Sequence, residues 1–232
     1  MLSRRHFLAA SAVSLTGGLT GGLTGGLAAG RALAQDATPA ALEAGPGPLI
    51  LDVTPEARPD LGAGVALPPD TDGGYVIPER FRARVVPVQA GLPVGSIHIV
   101  PETFNLYFVL PGDQAIRYGV AIGQEGLYWT GSATIGRKAE WPSWTPTPEM
   151  IERNPGAYAK YADGMPGGPG NPLGARAIYF YQGERDTAIR VHGTFEPQSI
   201  GTMASNGCFR MYNSHVIDLY NRVPLGARAY AY

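Results

Sequence analysis

"RAIYFYQGERDTAIRVHG", residues 176–193, holds two runs rich in Ile, Val, Tyr and Phe with a glycine-containing turn between them. β-branched and aromatic side chains fit a pleated, half-buried surface, so both runs are expected as strands. Runs of the same kind lie upstream: "SIHIV" from Ser96, "FNLYFVL" from Phe104 and "AIRYGVAIG" from Ala115. The closing "GARAYAY" alternates in the manner of a last strand. With 32 Gly and 21 Pro the chain favours many turns over long helices. The expectation is a single mostly β domain, sandwich or barrel-like. One short helix is expected over "NSHVIDLYNRV", where Val216, Leu219, Tyr220 and Val223 recur at helical spacing. Asn213 or Ser214 is its candidate N-cap, and Pro224 and Gly226 end it.

A long excursion, rich in Pro and Gly, separates the third and fourth runs, Arg137 to Ala175, including "EWPSWTPTPEMIERNPGAYAKYADGMPGGPGNPLG". Connections of this length in a compact domain usually act as lids or binding loops, and the alternative is a flap that only covers the core. Trp141 and Trp144 either line a groove under such a lid or anchor the loop to the sheet.

Upstream of the domain, residues 75–92 form a lead-in segment in which "YVIPERFRARVVPV" is expected as a strand, with Pro78 and Pro87 favouring an edge or a turn. Residues 35–74 are rich in Ala, Pro, Gly and Asp and are expected as a linker or wrapping arm. Residues 1–34 read as a twin-arginine signal peptide: Ser3-Arg4-Arg5-His6-Phe7-Leu8, a weakly apolar glycine-rich run, and Ala32-Leu33-Ala34 before the expected cleavage site. An uncleaved N-terminal anchor is the alternative. No later stretch reaches the roughly 18 apolar residues that span a bilayer, so the expected product is periplasmic with no stable membrane span.

Removing residues 1–34 takes away Arg4, Arg5 and Arg31 and no acid, so the 18 basic side chains fall by three against 19 acidic ones, a net of about −4. No basic run with interleaved aromatics suggests nucleic acid. The four histidines are too dispersed for a local metal motif.

Cys208 is the only cysteine, so it cannot form an internal disulfide in an oxidising compartment. Such a thiol is buried and inert, linked to another chain, or reactive. His192 ends a predicted strand, and a 15-residue segment closing in Ser205-Asn206-Gly207 separates it from Cys208. If that segment doubles back, the imidazole comes within reach of the thiol, which is the minimum for nucleophilic acyl transfer. Gly207 permits a sharp turn, and backbone N–H groups at the Gly207-Cys208 turn are candidate oxyanion donors. Arg210 can share the thiol's face and meet a substrate carboxylate.

His192-Gly193-Thr194 followed by Ser205-Asn206-Gly207-Cys208-Phe209-Arg210 resembles the signature of the L,D-transpeptidase catalytic domain, the YkuD-like family. The similarity runs from about Pro93 to the C-terminus, so the catalytic domain is expected over 93–232. The resemblance implies a periplasmic cysteine-dependent acyltransferase acting on peptidoglycan stem peptides, with roles in cell-wall organisation and cell shape. It implies Cys208 as nucleophile, His192 as general base and then acid, and the Gly193 carbonyl as the group that orients the imidazole. Ser205, Asn206, Gly207 and Arg210 would shape the oxyanion and substrate pocket, and the resemblance implies no metal or cofactor. The cysteine would attack the diaminopimelate carbonyl of a tetrapeptide donor, release D-alanine, and pass the acyl group to a stem-peptide amine, an outer-membrane protein lysine, or water. Asn206 stands where the family has a second histidine. That departure motivates the alternative of a catalytically impaired peptidoglycan-binding module of the same fold. Papain-like peptidases fit less well, since they place the cysteine before the histidine in chain order.

Overall fold

The computed structural model of the protein describes residues 61–232. The expected signal peptide, its cleavage site and linker residues 35–60 lie outside the described residues. In chain order the strands and helices are β1 (Thr71–Asp72), β2 (Tyr75–Val76), β3 (Arg84–Pro87), β4 (Ile97–Val100), β5 (Asn105–Leu110), β6 (Gln114–Gly119), β7 (Ile122–Gly123), β8 (Gly131–Glu140), α1 (Pro148–Arg153), α2 (Pro155–Tyr158), β9 (Arg176–Gln182), β10 (Arg185–His192), β11 (Met203–Ser205), β12 (Phe209–Arg210), α3 (Asn213–Arg222) and β13 (Arg228–Ala231). Nine of the strands form one sheet in the order β12-β10-β9-β8-β13-β4-β5-β6-β3. Just after β6, Ala121 exchanges two 2.9 Å backbone hydrogen bonds with Arg210 of β12. The β12 edge thereby meets the chain that continues β6, one strand short of the opposite edge, which gives the mostly β fold a barrel-like curl.

Alternation along these strands sends Ile97 and Ile99, Leu106 and Phe108, Ile178 and Phe180 into one core, where Val216, Leu219 and Val223 of α3 join them. Several boundaries differ from the sequence expectation. The lead-in run breaks into β2, a 3₁₀ turn at Glu79–Phe81 and β3, with Pro87 on an outer strand of the sheet where its missing N–H costs no ladder bond. "AIRYGVAIG" divides into β6 and β7, and β7 pairs with β11 rather than with the large sheet. β8 extends through Glu140, so the excursion begins at Trp141 and not at Arg137. Pairing on both flanks, with β13 and with β9, holds this stretch extended.

The N-terminus of α3 is capped from a distance. Neither Asn213 nor Ser214 serves as its cap; instead the Asp72 carboxylate accepts from the Asn213 N–H at 3.0 Å and from the Ser214 N–H at 2.8 Å. The strand β1, drawn from the stretch expected as linker or arm, thus delivers a carboxylate to the positive end of a helix dipole. Such a cap contributes about 1 kcal/mol. Asn213 is free for another task.

Candidate active site

Parallel pairing of β10 with β12 sets Val191 beside Phe209 and His192 beside Arg210. Val191 and Phe209 are fully buried in the core. Side chains one residue away point to the opposite face, so Arg190, His192, Cys208 and Arg210 share a single face of the sheet. The segment between His192 and Cys208 doubles back: it passes through β11, which lies beside β7, and returns as β12. Cys208 and His192 occupy diagonal positions on adjacent strands, a placement that long side chains bridge.

His192 is buried, 4% exposed, and its Nδ1 lies 2.6 Å from the Gly193 carbonyl oxygen. A carbonyl only accepts, so Nδ1 carries the proton and Nε2 keeps its lone pair. Burial pulls the His192 pKa down to about 3; the Gly193 carbonyl opposes this, and the charges of Arg210 and Arg190 add to it. The ring is therefore a neutral base at ordinary pH.

Cys208 is half-buried, and its Sγ donates to the Ala188 carbonyl at 3.5 Å. Burial pushes the thiol above its ordinary range, and Arg190, through its charge and hydrogen bonds, and the Arg210 charge act against that. Thiol and imidazole thus both rest neutral. This favours proton transfer at the moment of attack over a preformed thiolate.

The loop before the thiol is braced by Ser205, whose hydroxyl donates to the Cys208 carbonyl at 2.5 Å and accepts from the Gly207 N–H at 3.1 Å. The Gly207 N–H, a candidate oxyanion donor from sequence, is committed here to Ser205. Gly207 has φ of +123°, and a Cβ on it would stand 2.9 Å from the Leu127 carbonyl oxygen, so only glycine fits. Arg210 meets a carboxylate, that of Glu196, at 2.9 Å, and its side chain is 17% exposed.

Asn206 ties this loop to the excursion: its Nδ2 donates to the Tyr158 hydroxyl at 2.9 Å, and its Oδ1 accepts from Arg153 at 3.1 Å. Trp144 packs edge-on against Tyr158 and Tyr161 and pairs its backbone with Met165, so it anchors the excursion from within. Trp141, 47% exposed, starts the excursion with its N–H bonded to the Ala175 carbonyl. An amide does at position 206 what needs both a donor and an acceptor. Replacing Asn206 by Ala removes two long-range hydrogen bonds of about 1 kcal/mol each. Amide exchange across Pro148–Tyr158 is then expected to quicken about 10- to 30-fold. Unchanged exchange there, measured by mass spectrometry, would mean that Asn206 does not hold the excursion.

Sequence reading missed four residues that the fold brings to this site. Arg190 carried a legible signal, two places before His192 on a strand and hence on its face. Arg153, Tyr158 and Asn213 gave none, because their partners lie on other elements. Among the described residues no group of three or more His, Cys, Asp or Glu side chains is placed to hold a metal ion, and no helix is long and apolar enough to cross a membrane.

The family model of the L,D-transpeptidase catalytic domain matches residues 95–230. A candidate L,D-transpeptidase of Fuscovulum blasticum, from its ATP synthase subunits region, is 40% identical over 141 residues, 58% of this chain and 69% of the relative. The probable L,D-transpeptidase ErfK/SrfK of Escherichia coli K12 is 32% identical over 184 residues, which are 75% of this chain and 52% of the relative. This chain therefore spans about half the length of that protein. A solved structure from Brucella melitensis, described as a probable carnitine operon oxidoreductase CaiA, is 52% identical, covers 67% of this chain and 96% of its own, and superposes with a TM-score of 0.47. The family match runs from just before β4 into β13, more than half of the chain, and the chain belongs to the family of L,D-transpeptidase catalytic domains, YkuD.

Proposed function

We propose that the protein is an exported L,D-transpeptidase that acts on peptidoglycan tetrapeptide stems through a Cys208 acyl-enzyme. The observation that carries this reading is the shared sheet face of Cys208 and His192, with Nδ1–H of the ring held by Gly193 at 2.6 Å. His192 Nε2 takes the Sγ proton as sulfur attacks the diaminopimelate carbonyl. The tetrahedral intermediate collapses with cleavage of the C–N bond, and the proton on Nε2 passes to the departing D-alanine amine. An acceptor amine then enters, gives its proton to Nε2, displaces sulfur from the thioester, and the thiolate regains the proton. The acceptor is a second stem or a protein amine, giving cross-linking or protein attachment.

The positive charges of Arg190 and Arg210 support negative charge on sulfur and on the intermediate. Asn206 in place of the family histidine is compatible with turnover, because its two hydrogen bonds are structural and need no titration. The binding-module alternative loses its main motive on that ground. Export by the twin-arginine route to the periplasm rests on Arg4 and Arg5; exchanging both for lysine should leave the precursor in the cytoplasm.

Incubating the mature protein with a disaccharide-tetrapeptide and following intact mass tests the reaction. A covalent gain, free D-alanine and a dimeric muropeptide are expected. Binding without any of the three would leave a wall-binding module.

A further inference from the structure

Gly193 presents the carbonyl that fixes the His192 tautomer, yet glycine is the residue least able to fix its own backbone. Whatever holds that carbonyl must come from outside. One brace is backbone: the Gly193 N–H donates to the Arg176 carbonyl at 3.0 Å. The other is the side chain of Asn213, which donates from Nδ2 to the Thr194 carbonyl at 2.7 Å and accepts at Oδ1 from the Ala175 N–H at 2.8 Å. Its Oδ1 sits where a side chain on either neighbouring glycine would begin. A Cβ on Gly193 would lie 2.2 Å from it, and one on Gly174 2.3 Å. The amide thus occupies the space that two absent methyl groups leave, and it clamps the entry to β9 against the turn after His192.

Asn213 can reach this place because it is not spent on capping its own helix; the Asp72 carboxylate satisfies its N–H at 3.0 Å. The line of support runs from Asp72 through the first turn of α3 to Asn213, then to the Gly193-Thr194 backbone, and ends at His192 Nδ1. We propose that Asn213 is a positioning residue for the acyl-transfer reaction: it holds the Gly193 carbonyl against His192 and thereby keeps Nε2 free to take the thiol proton. This rests on the transpeptidase reading above, and it adds a residue to the machinery without placing that residue in contact with substrate.

The test uses the mature protein, a carbapenem as acylating probe, and 15N NMR of the imidazole nitrogens. In the wild type, His192 is expected to show well-separated shifts, Nδ1 protonated and Nε2 bare. In Asn213→Ala the two shifts converge as the tautomers mix, and acylation slows about 10- to 100-fold, the scale of losing an outer partner that orients a functional histidine. Asn213→Asp keeps the shape and the bond from the Ala175 N–H but sets a carboxylate against the Thr194 carbonyl; it provides a folded variant should the alanine one fail to fold. It is expected to show both effects, since the repulsion displaces the backbone that the amide held. A folded variant that keeps separated shifts overturns the proposal, and so does one that loses them yet acylates at the wild-type rate. If the wild type takes up no carbapenem, the transpeptidase reading fails, while the tautomer comparison still decides whether Asn213 orients the ring.

Discussion

Cys208→Ala is expected to remain folded and to gain no mass from a carbapenem or a tetrapeptide donor, while His192→Gln keeps the thiol and acylates about 10²- to 10⁴-fold more slowly. The two substitutions separate nucleophile from base. Burial holds the thiol above its ordinary range despite Arg190 and Arg210, so thiolate is scarce at neutral pH. In the proposed reaction, sulfur therefore needs a base at the moment of attack. His192 supplies one: it is neutral, its Nδ1–H is bound to Gly193, and the imidazolium formed during attack faces a carbonyl oxygen and a new negative charge. Glutamine at 192 fills similar space but cannot take the proton. Equal acylation of His192→Gln and wild type would mean that Cys208 works as a preformed thiolate. Slow alkylation of the wild type by iodoacetamide at pH 7 is the matching observation on the resting thiol. A persisting adduct in Cys208→Ala would move the nucleophile elsewhere.

Two of the strands that carry the site, β9 and β10, were legible because they are rich in Ile, Val, Tyr and Phe, and the His-Gly-Thr motif begins at the end of β10. β11 and β12, the short strands on either side of Asn206-Gly207-Cys208, hold no such run and are strands only through their pairing with β7 and β10. β8 was not legible. "GSATIGRKAE" is small or charged at most positions, and it is a strand because β13 and β9 pair with it on either side. Its register slips at Gly136, where a Cβ would stand 2.4 Å from the Tyr181 ring, a fact about packing that no local pattern announces. The same holds for the cap of α3. Asp72 lies 141 residues before Asn213, and Asn213 looked like a local N-cap because that is the commonest use of asparagine there. Position 206 shows the limit most plainly. The resemblance to the family signature marks it as a missing histidine, whereas its partners on α1 and α2 show an amide occupied on both sides.

Acid is expected to unfold the protein steeply, because its three described histidines are all buried and held neutral. His98 bridges Ser96 at 2.9 Å and the Tyr232 hydroxyl at 2.8 Å, His215 lies between Tyr118 and Tyr212, and His192 sits on the site face. Among the described residues neither ring nitrogen of His215 has a hydrogen-bond partner, so no hydrogen bond stands ready to hold a proton on it. Burial pulls His98 and His215 down to about 4 and His192 to about 3, the nearby Asp72, Asp218 and Asp70 only partly offsetting the effect at His215. In the unfolded chain each titrates near 6.5. Between those values the unfolded state binds more protons than the native one. Stability is therefore full above pH 6.5 and is lost as pH falls toward 4. Each proton is worth about 1.4 kcal/mol per pH unit, so three give a slope of about 4 kcal/mol per unit near pH 5. Two pH units then remove about 8 kcal/mol, a large share of the 5–15 kcal/mol typical of a domain. Urea titrations at pH 7, 6 and 5 should show the midpoint dropping at each step, and His215→Gln should flatten the slope by about a third. A midpoint independent of pH over this range would mean that these histidines are solvated or charged in the native state. The same argument separates two causes of activity loss in acid. The base itself does not titrate until far below pH 6.5, so acylation that disappears between pH 6 and 4 must follow the cooperative unfolding curve and not a one-proton curve centred on His192.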